Sequence, residues 1–393
     1  MKTAFLNGDV KSEIYINPPE GLDSNKGIVF KLRKALYGLK ESAKCWHDHF
    51  SGFLLDIGFR QSENDSCLYI KKYHNHFVYL IVYVDDIIVA SESMKVVADI
   101  KARLMSRFKM TDKGILKHFL GFSIDYNPTE GRLIIDQRRY IQNLLIKFNM
   151  TTCNGVSSPI ESRLILDNDL QLLPSSTPFR ELVGCLMYLC YCSRPDIAFA
   201  VHYFSQQQDK ATHQAFKYLK RILRYLKTTI NLVLTYERGG DTVLKGYADA
   251  DFANGQDRKS ISGHCFMIGK NLLSWTVKKQ ACVALSTAEA ELISLTLCLC
   301  EGIWLKRLLA DFNMYSDLVL FEDNRACIQI IKTPDNNKRI KHSDVKLKYV
   351  CQAIKLNKVK IEHISSDKQI ADIFTKGLPS GPFMKHVKSL NLK

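Results

Sequence analysis

From the Gly239-Gly240 turn onward the hydrophobic pattern changes period in an order that few folds accommodate. Three strand-like runs, Val243 to Phe252, Ser262 to Ile268 and Leu272 to Val277, follow one another closely and predict an antiparallel meander. Ser286 and Glu289 then stand three apart just before Leu292, Leu295 and Leu299, a capping box that opens a long amphipathic helix. A strand over Asp317 to Phe321, helices near Asn324 to Ile331 and Asp344 to Lys355, a strand over Val359 to Ile364 and a final helix from Asp367 complete a βββαβαβα succession.

Acids punctuate that succession. Asp249 ends the first strand, and alternation turns Asp251 to the same side. Glu291 lies in the first turns of the capped helix, on the face of Leu295, so it points toward the sheet. Asp323 follows an apolar strand, and Asp372 falls within the last helix. Each acid alone is an ordinary loop or helix-start residue. Their joint arrival at strand ends and facing helix positions of one unit predicts a cluster able to hold hard divalent cations.

Upstream, the first 160 residues alternate short β-type runs with amphipathic segments, an α+β pattern. A polar stretch from Ser157 through Leu170 to Thr177 marks a boundary, and a helical block runs from Phe179 to about Thr228, broken near Arg194-Pro195. The expected domains are therefore 1–160, 161–240 and 241–393. Late in the helical block, Phe216, Leu219, Ile222, Leu223 and Leu226 share one helix face, and Lys217, Lys220, Arg221, Arg224 and Lys227 the other. Such a helix is either a solvated surface or a phosphate-tracking one. Fifty-five Lys and Arg against forty Asp and Glu leave a formal charge of +15, which attracts a phosphate backbone and makes nucleic acid the first partner to test.

Twelve cysteines lack metal-ligand spacing and read as reduced, largely buried thiols. The N-terminal residues carry no apolar signal core, and runs such as Phe77 to Val84 are far too short to span a membrane. The expectation is an intracellular protein.

Phe77 to Val84 and Ile87 to Ala90 are apolar β-type runs with Asp85 and Asp86 between them, which predicts a hairpin with acids at its tip. Adjacent carboxylates repel unless a cation neutralises them, so a divalent metal is their natural partner; without further context an exposed Asp-Asp turn explains them as well. The context is a series of motifs in fixed order: KTAFLNGDV, EIYINPPEGL, KLRKALYGLK, YVDDIIVA, KHFLGFSIDY and LVGCLMYLCYCSRPDIAFAV. Together they resemble the copia-type retrotransposon Pol polyprotein over nearly the whole chain. The later strings GYADADFA, DRKSISG, SWTVKKQ, VALSTAEAELISL, EDNRACIQI and ADIFTKGLP resemble the ribonuclease H part of the same family.

The resemblance implies a reverse-transcriptase palm with a hairpin active site (a fingers and palm remnant), a helical thumb or connection region, and a ribonuclease H-like domain. It implies Asp85 and Asp86 as polymerase metal ligands and Phe5 as the residue beneath the incoming sugar. It further implies Asp249, Glu291, Asp323 and Asp372 as metal-binding carboxylates of the nuclease, and His363 as a histidine that helps product leave. Mg2+ is the implied cofactor, with Mn2+ as an alternative. The implied partners are an RNA–DNA hybrid, a DNA or RNA template-primer and a deoxynucleoside triphosphate, and the implied location is a cytoplasmic virus-like particle or the nucleus. In the family the first motif reads Asp-Val-Lys-Thr-Ala-Phe-Leu, whereas this sequence begins Met1-Lys2-Thr3-Ala4-Phe5-Leu6. The first polymerase aspartate falls before Met1, so the expectation is a truncated palm that polymerises poorly beside a competent nuclease. The alternatives are a non-catalytic nucleic-acid-binding remnant of a decayed element, and a longer working protein of which Met1 is not the start.

Overall fold

The strand His76–Tyr83 shows how the first unit is built. The computed structural model describes residues 3–19, 21, 28–162, 164–166, 171–255, 257–334, 344–356 and 358–393, and its chain divides into two compact units, Met1–Leu116 and Lys117–Lys393. In the first, β1 (Tyr15–Ile16) pairs with β2 (Phe30–Lys31), and α1 (Ser42–Asp56) leads to β3 (Arg60–Gln61), β4 (Leu68–Tyr73), β5 (His76–Tyr83), β6 (Asp86–Ser91) and α2 (Met94–Arg107). The sheet order is β3-β4-β5-β6, antiparallel throughout. Along β5, Val78, Leu80 and Val82 are buried while Ile81 and Tyr83 are exposed, so one face packs and the other meets water. Trp46, Phe50 and Leu54 of α1 and Val96, Ile100 and Leu104 of α2 share one apolar cluster with that buried face.

The second unit comprises β7 (His118–Phe119), β8 (Phe122–Asn127), β9 (Arg132–Asp136), α3 (Arg138–Lys147), α4 (Phe179–Cys192), α5 (Ala198–Ser205), α6 (His213–Thr228) and β10 (Leu234–Glu237). After these come β11 (Leu244–Asp251), β12 (Ile261–Ile268), β13 (Asn271–Lys279), α7 (Thr287–Asp311), β14 (Leu318–Glu322), α8 (Arg325–Lys332), α9 (Asp344–Lys355), β15 (Lys360–His363) and α10 (Ser380–Ser389). Its larger sheet has the order β13-β12-β11-β14-β15. The first three strands are antiparallel, and β14 and β15 join parallel to β11, which is the ribonuclease H-like arrangement.

Every residue of β12 is buried because both faces of this sheet are covered. Phe266 and Ile268 belong to the cluster formed with α7, α8 and α9, whereas Cys265 and Met267 belong to the cluster formed with α3 to α6 and α10. Trp275 of β13 donates its indole N–H to the Cys190 carbonyl of α4 at 3.0 Å. Strand β10 pairs antiparallel with β9, joining the 122–136 hairpin to the chain beyond the helices.

These contacts place the expected boundaries near 160 and 240 inside one compact unit, and the division falls at Leu116. The polar stretch that suggested the first boundary packs into that unit through Ile160 and Leu166, and Arg163 and residues 167–170 of it lie outside the described residues, as do Met1 and Lys2. A loop's composition does not report what packs on either side of it.

The connection is knotted by Arg194, which is 1% exposed. Its guanidinium donates to both carboxylate oxygens of Asp196 (Nη2 to Oδ2 2.7 Å, Nε to Oδ1 2.9 Å) and to the Thr229 hydroxyl at 2.7 Å. The Tyr225 hydroxyl donates to Asp196 Oδ2 at 2.6 Å. The pair thus ties the Pro195–Ile197 turn to the end of α6.

The expected final helix from Asp367 is replaced by two 3-10 turns, Ser366–Lys368 and Ile370–Phe374, and α10 starts only at Ser380. Docking sets that shape. Buried Gln369 donates its side-chain N–H to the Ala248 carbonyl of β11 at 2.8 Å. A Cβ at Gly263 of β12 would lie 2.7 Å from both Phe374 Cβ and Thr375 Cγ2. Gly263→Ala therefore overpacks this contact, and a denaturant melt should show a loss of about 1–3 kcal/mol. Among the described residues the cysteines are free, and no helix is long and apolar enough to cross a membrane.

Candidate metal centre

In the first unit, β5 and β6 are joined by a two-residue turn, Val84-Asp85, with Tyr83 opposite Asp86. Val84 has φ of 53°, a left-handed conformation that costs a β-branched residue of order 1–3 kcal/mol. The Trp46 indole N–H holds the turn by donating to the Val84 carbonyl at 2.6 Å. Asp85 and Asp86 are both half-buried. Phe5 sits in a 3-10 turn, Ala4–Asn7, with its ring centroid 4.5 Å from that of Tyr37. Among the described residues this hairpin belongs to no group of three or more metal-ligating side chains.

The second unit does form such a group. Asp249, Glu291 and Asp323 each offer a ligand atom, and these atoms lie within 4.8 Å of one another. Strand pairing explains two of the three. Strands β11 and β14 run parallel with Tyr247 beside Phe321, so Asp249 and Asp323, each two residues further on, emerge together at the same sheet end. Helix α7 supplies the third. Its N-cap Ser286 accepts from the Glu289 N–H, and Ser294, one turn past Glu291, donates its hydroxyl to the Asp249 carbonyl at 2.7 Å. That bond pins the helix over β11.

Electrostatics reflect the crowding. Burial, reinforced by Glu322, Asp249 and Asp323, pushes the Glu291 carboxyl up to about 11, and its Oε2 is buried without a hydrogen-bond partner. Burial and Asp249 raise Asp372 to about 7. Asp372 stands in the Ile370–Phe374 turn beside the triad, not within it, and Lys376 Nζ lies 2.9 Å from Asp372 Oδ1 and 3.6 Å from Asp249 Oδ2. Burial opposes the charge on Lys376, but Asp249 and Asp372 outweigh it and raise its pKa.

Sequence reasoning missed three residues here. Thr375 donates its hydroxyl to Asp249 Oδ2 and fixes that carboxylate. Lys376 stands four residues after Asp372, a helical ion-pair spacing that the sequence offers. Glu322, fully buried, extends β14 beyond the expected end at Phe321; its Oε1 accepts from the Asn324 N–H at 3.0 Å, and burial raises its pKa well above the carboxylate range. Strand alternation from Leu318 and Leu320 was the available signal for its inward direction.

The remaining expected residues are more dispersed. His363 ends β15 opposite Glu322 and is exposed. Asp251 accepts from the Asn254 amide at 2.6 Å, and Glu289 caps α7 by accepting from the Leu285 N–H at 2.8 Å. On α6, Arg221 donates to Glu161 at 3.0 Å, Arg224 to the Asn154 carbonyl at 2.7 Å and Lys227 to the Cys153 carbonyl at 2.7 Å. Those three bind the 153–161 segment. Lys220 lies over the Phe216 ring at 4.8 Å, and Lys217 is exposed.

A reverse transcriptase (RNA-dependent DNA polymerase) family model matches residues 1–162. The chain is 36% identical over 397 residues to the retrovirus-related Pol polyprotein from transposon TNT 1-94 of Nicotiana tabacum, covering 98% of this chain and 30% of that protein. The chain belongs to the copia-type Pol polyproteins. To the Pol polyprotein from transposon RE1 of Arabidopsis thaliana it is 33% identical over 399 residues, covering 100% of this chain and 27% of that protein. It thus spans under a third of the length of each of these two relatives. Among solved structures, the LC11 ribonuclease H1 isolated from compost is 16% identical, covering 34% of this chain and 93% of that one with a TM-score of 0.29.

Proposed function

We propose that this copia-type chain hydrolyses the RNA strand of RNA–DNA hybrids at the centre formed by Asp249, Glu291, Asp323 and Asp372, with Mg2+, or Mn2+ in its place, as cofactor. The observation that carries this reading is that three carboxylates from three separate elements converge to within 4.8 Å in a largely buried setting. An all-oxygen donor set suits a hard divalent cation, and the buried Glu291 Oε2, which accepts no hydrogen bond, is suited to a cationic partner. When bound, such cations generate hydroxide from water near neutral pH and stabilise the departing oxygen, leaving a 3′-hydroxyl and a 5′-phosphate.

The chain's own residues do the positioning. Thr375 fixes one oxygen of Asp249, and Ser294 fixes the helix that carries Glu291. Parallel register sets Asp323 beside Asp249. The net positive charge, with Lys217 and Lys220 free of hydrogen-bonded or ionic engagement with the 153–161 segment, favours a phosphate backbone as substrate. On the polymerase side the same reading assigns metal-holding roles to Asp85 and Asp86, and the place beneath the sugar of the incoming deoxynucleoside triphosphate to Phe5. His363 is assigned to product release.

The test is cleavage of a labelled RNA–DNA hybrid by the purified chain with Mg2+, set against Asp323→Asn. That substitution removes a ligand oxygen at nearly constant volume. Cation-dependent cleavage by the wild type and its loss in the variant are expected; unchanged cleavage in the variant rejects the site. A wild type that binds the hybrid without cutting it supports the alternative of a non-catalytic remnant.

A further inference from the structure

The neighbourhood of Asp249 has two sides. Toward Glu291 and Asp323 it meets two further carboxylates, with a ligand atom of each of the three within 4.8 Å of the others. Toward Asp372 it presents Lys376, whose ammonium is 2.9 Å from Asp372 Oδ1 and 3.6 Å from Asp249 Oδ2. The partners are fixed and nearly buried, with the Asp249 and Asp372 side chains 4% and 13% exposed, while the lysine side chain is 37% exposed. Asp249 is held by Thr375 and Asp372 by its tight turn, so the lysine stem is the member of this trio with a path to water.

Resting on the nuclease reading above, we infer that Lys376 is a built-in competitor for one cation position: its ammonium neutralises Asp249 and Asp372 and must swing outward before a divalent ion can bridge them. A single positive charge placed between two carboxylates does what an ion there does, and the two cannot share the space. Among the described residues the ion pairs of this cluster run from Lys376 to Asp249 and Asp372, and none reaches Glu291 or Asp323. Cations therefore load in order, the first on Asp249, Glu291 and Asp323, the second only against the lysine.

The experiment is a calorimetric titration of Mn2+ into the full chain without nucleic acid, for wild type, Lys376→Met, Lys376→Arg and Asp323→Asn. The wild type should show a tighter and a weaker phase, with Asp323→Asn removing the tighter one. Lys376→Met should strengthen the weaker phase about tenfold or more, equivalent to a single 1.4 kcal/mol step, and Lys376→Arg should keep wild-type behaviour. A weaker phase that is unchanged or weakened in Lys376→Met overturns the inference while leaving the nuclease reading intact. Absence of any binding to the wild type overturns both. Should Lys376→Met not fold, acetylation of the wild type read by mass spectrometry decides the matter. Lys376 should be slow to react without Mn2+ and several-fold faster with it, and an unchanged rate overturns the inference.

Discussion

Glu291→Gln is expected to abolish hybrid cleavage and, in the same protein, to raise the stability of the metal-free chain. The two effects share one cause. Glu291 is 7% exposed, has an oxygen without a hydrogen-bond partner and faces Glu322, Asp249 and Asp323. Cation stabilisation of a hydrolytic transition state amounts to several kcal/mol, so losing this ligand should cost about three orders of magnitude in rate. Glutamine keeps the volume and removes the charge, so the fold is relieved of a group it must otherwise hold protonated.

The pH dependence has a definite sign. In the fold the Glu291 carboxyl is raised to about 11, whereas in the unfolded chain it ionises near its ordinary value. Its contribution is fully favourable below the unfolded value and is lost progressively as pH rises toward the folded one. Asp372, raised to about 7, acts in the same direction over the lower part of that range. Thermal melts without divalent cation should therefore show Glu291→Gln gaining more over the wild type at pH 8 than at pH 5. A gain that shrinks with rising pH contradicts the buried-carboxyl account.

Arg194→Ala is expected to be the most destabilising single change in the second unit, by about 3–5 kcal/mol, because it leaves Asp196 as a buried charge without its partner. Asp196 is 1% exposed, and its remaining donor is the Tyr225 hydroxyl. The Thr229 hydroxyl and carbonyl lose their guanidinium donors as well. Denaturant unfolding measures the loss directly. The double variant Arg194→Met with Asp196→Leu should recover most of it, since two apolar side chains replace a charge pair without stranding either member. If the double variant is no more stable than Arg194→Ala, the cost lies in backbone contacts of the Pro195–Ile197 turn and not in the unpaired acid.

Local signals made the strand meander and the long helix legible in the sequence. Period-two runs located β11, β12 and β13 to within two residues at either end, and Ser286 with Glu289 marked the start of α7. Asp249, Glu291 and Asp323 could be singled out because each falls beside such a marker. Where tertiary contact sets the conformation, the sequence was mute. The 366–374 segment takes its tight turns from Gln369 bonding to β11 and from close approach to Gly263, and nothing within it records those partners. The cationic face of α6 looked free because its acceptors on Cys153 and Asn154 lie 74 and 70 residues away in sequence. Glu322 was overlooked because a charged residue at the end of an apolar run reads as its terminator, although the face it shares with Leu318 and Leu320 points inward.

Asn391 donates its side-chain N–H to the Thr235 carbonyl at 2.7 Å, 156 residues away, and Lys393 exchanges backbone hydrogen bonds with Val233. Strand β10, so edged, is the one that covers β9. On a ribosome, therefore, the 122–136 hairpin emerges long before the segment that flanks its covering strand, whereas Met1–Leu116 can close on contacts of its own. A nascent chain should mature in that order, with its second unit open to chaperones until translation has passed residue 393.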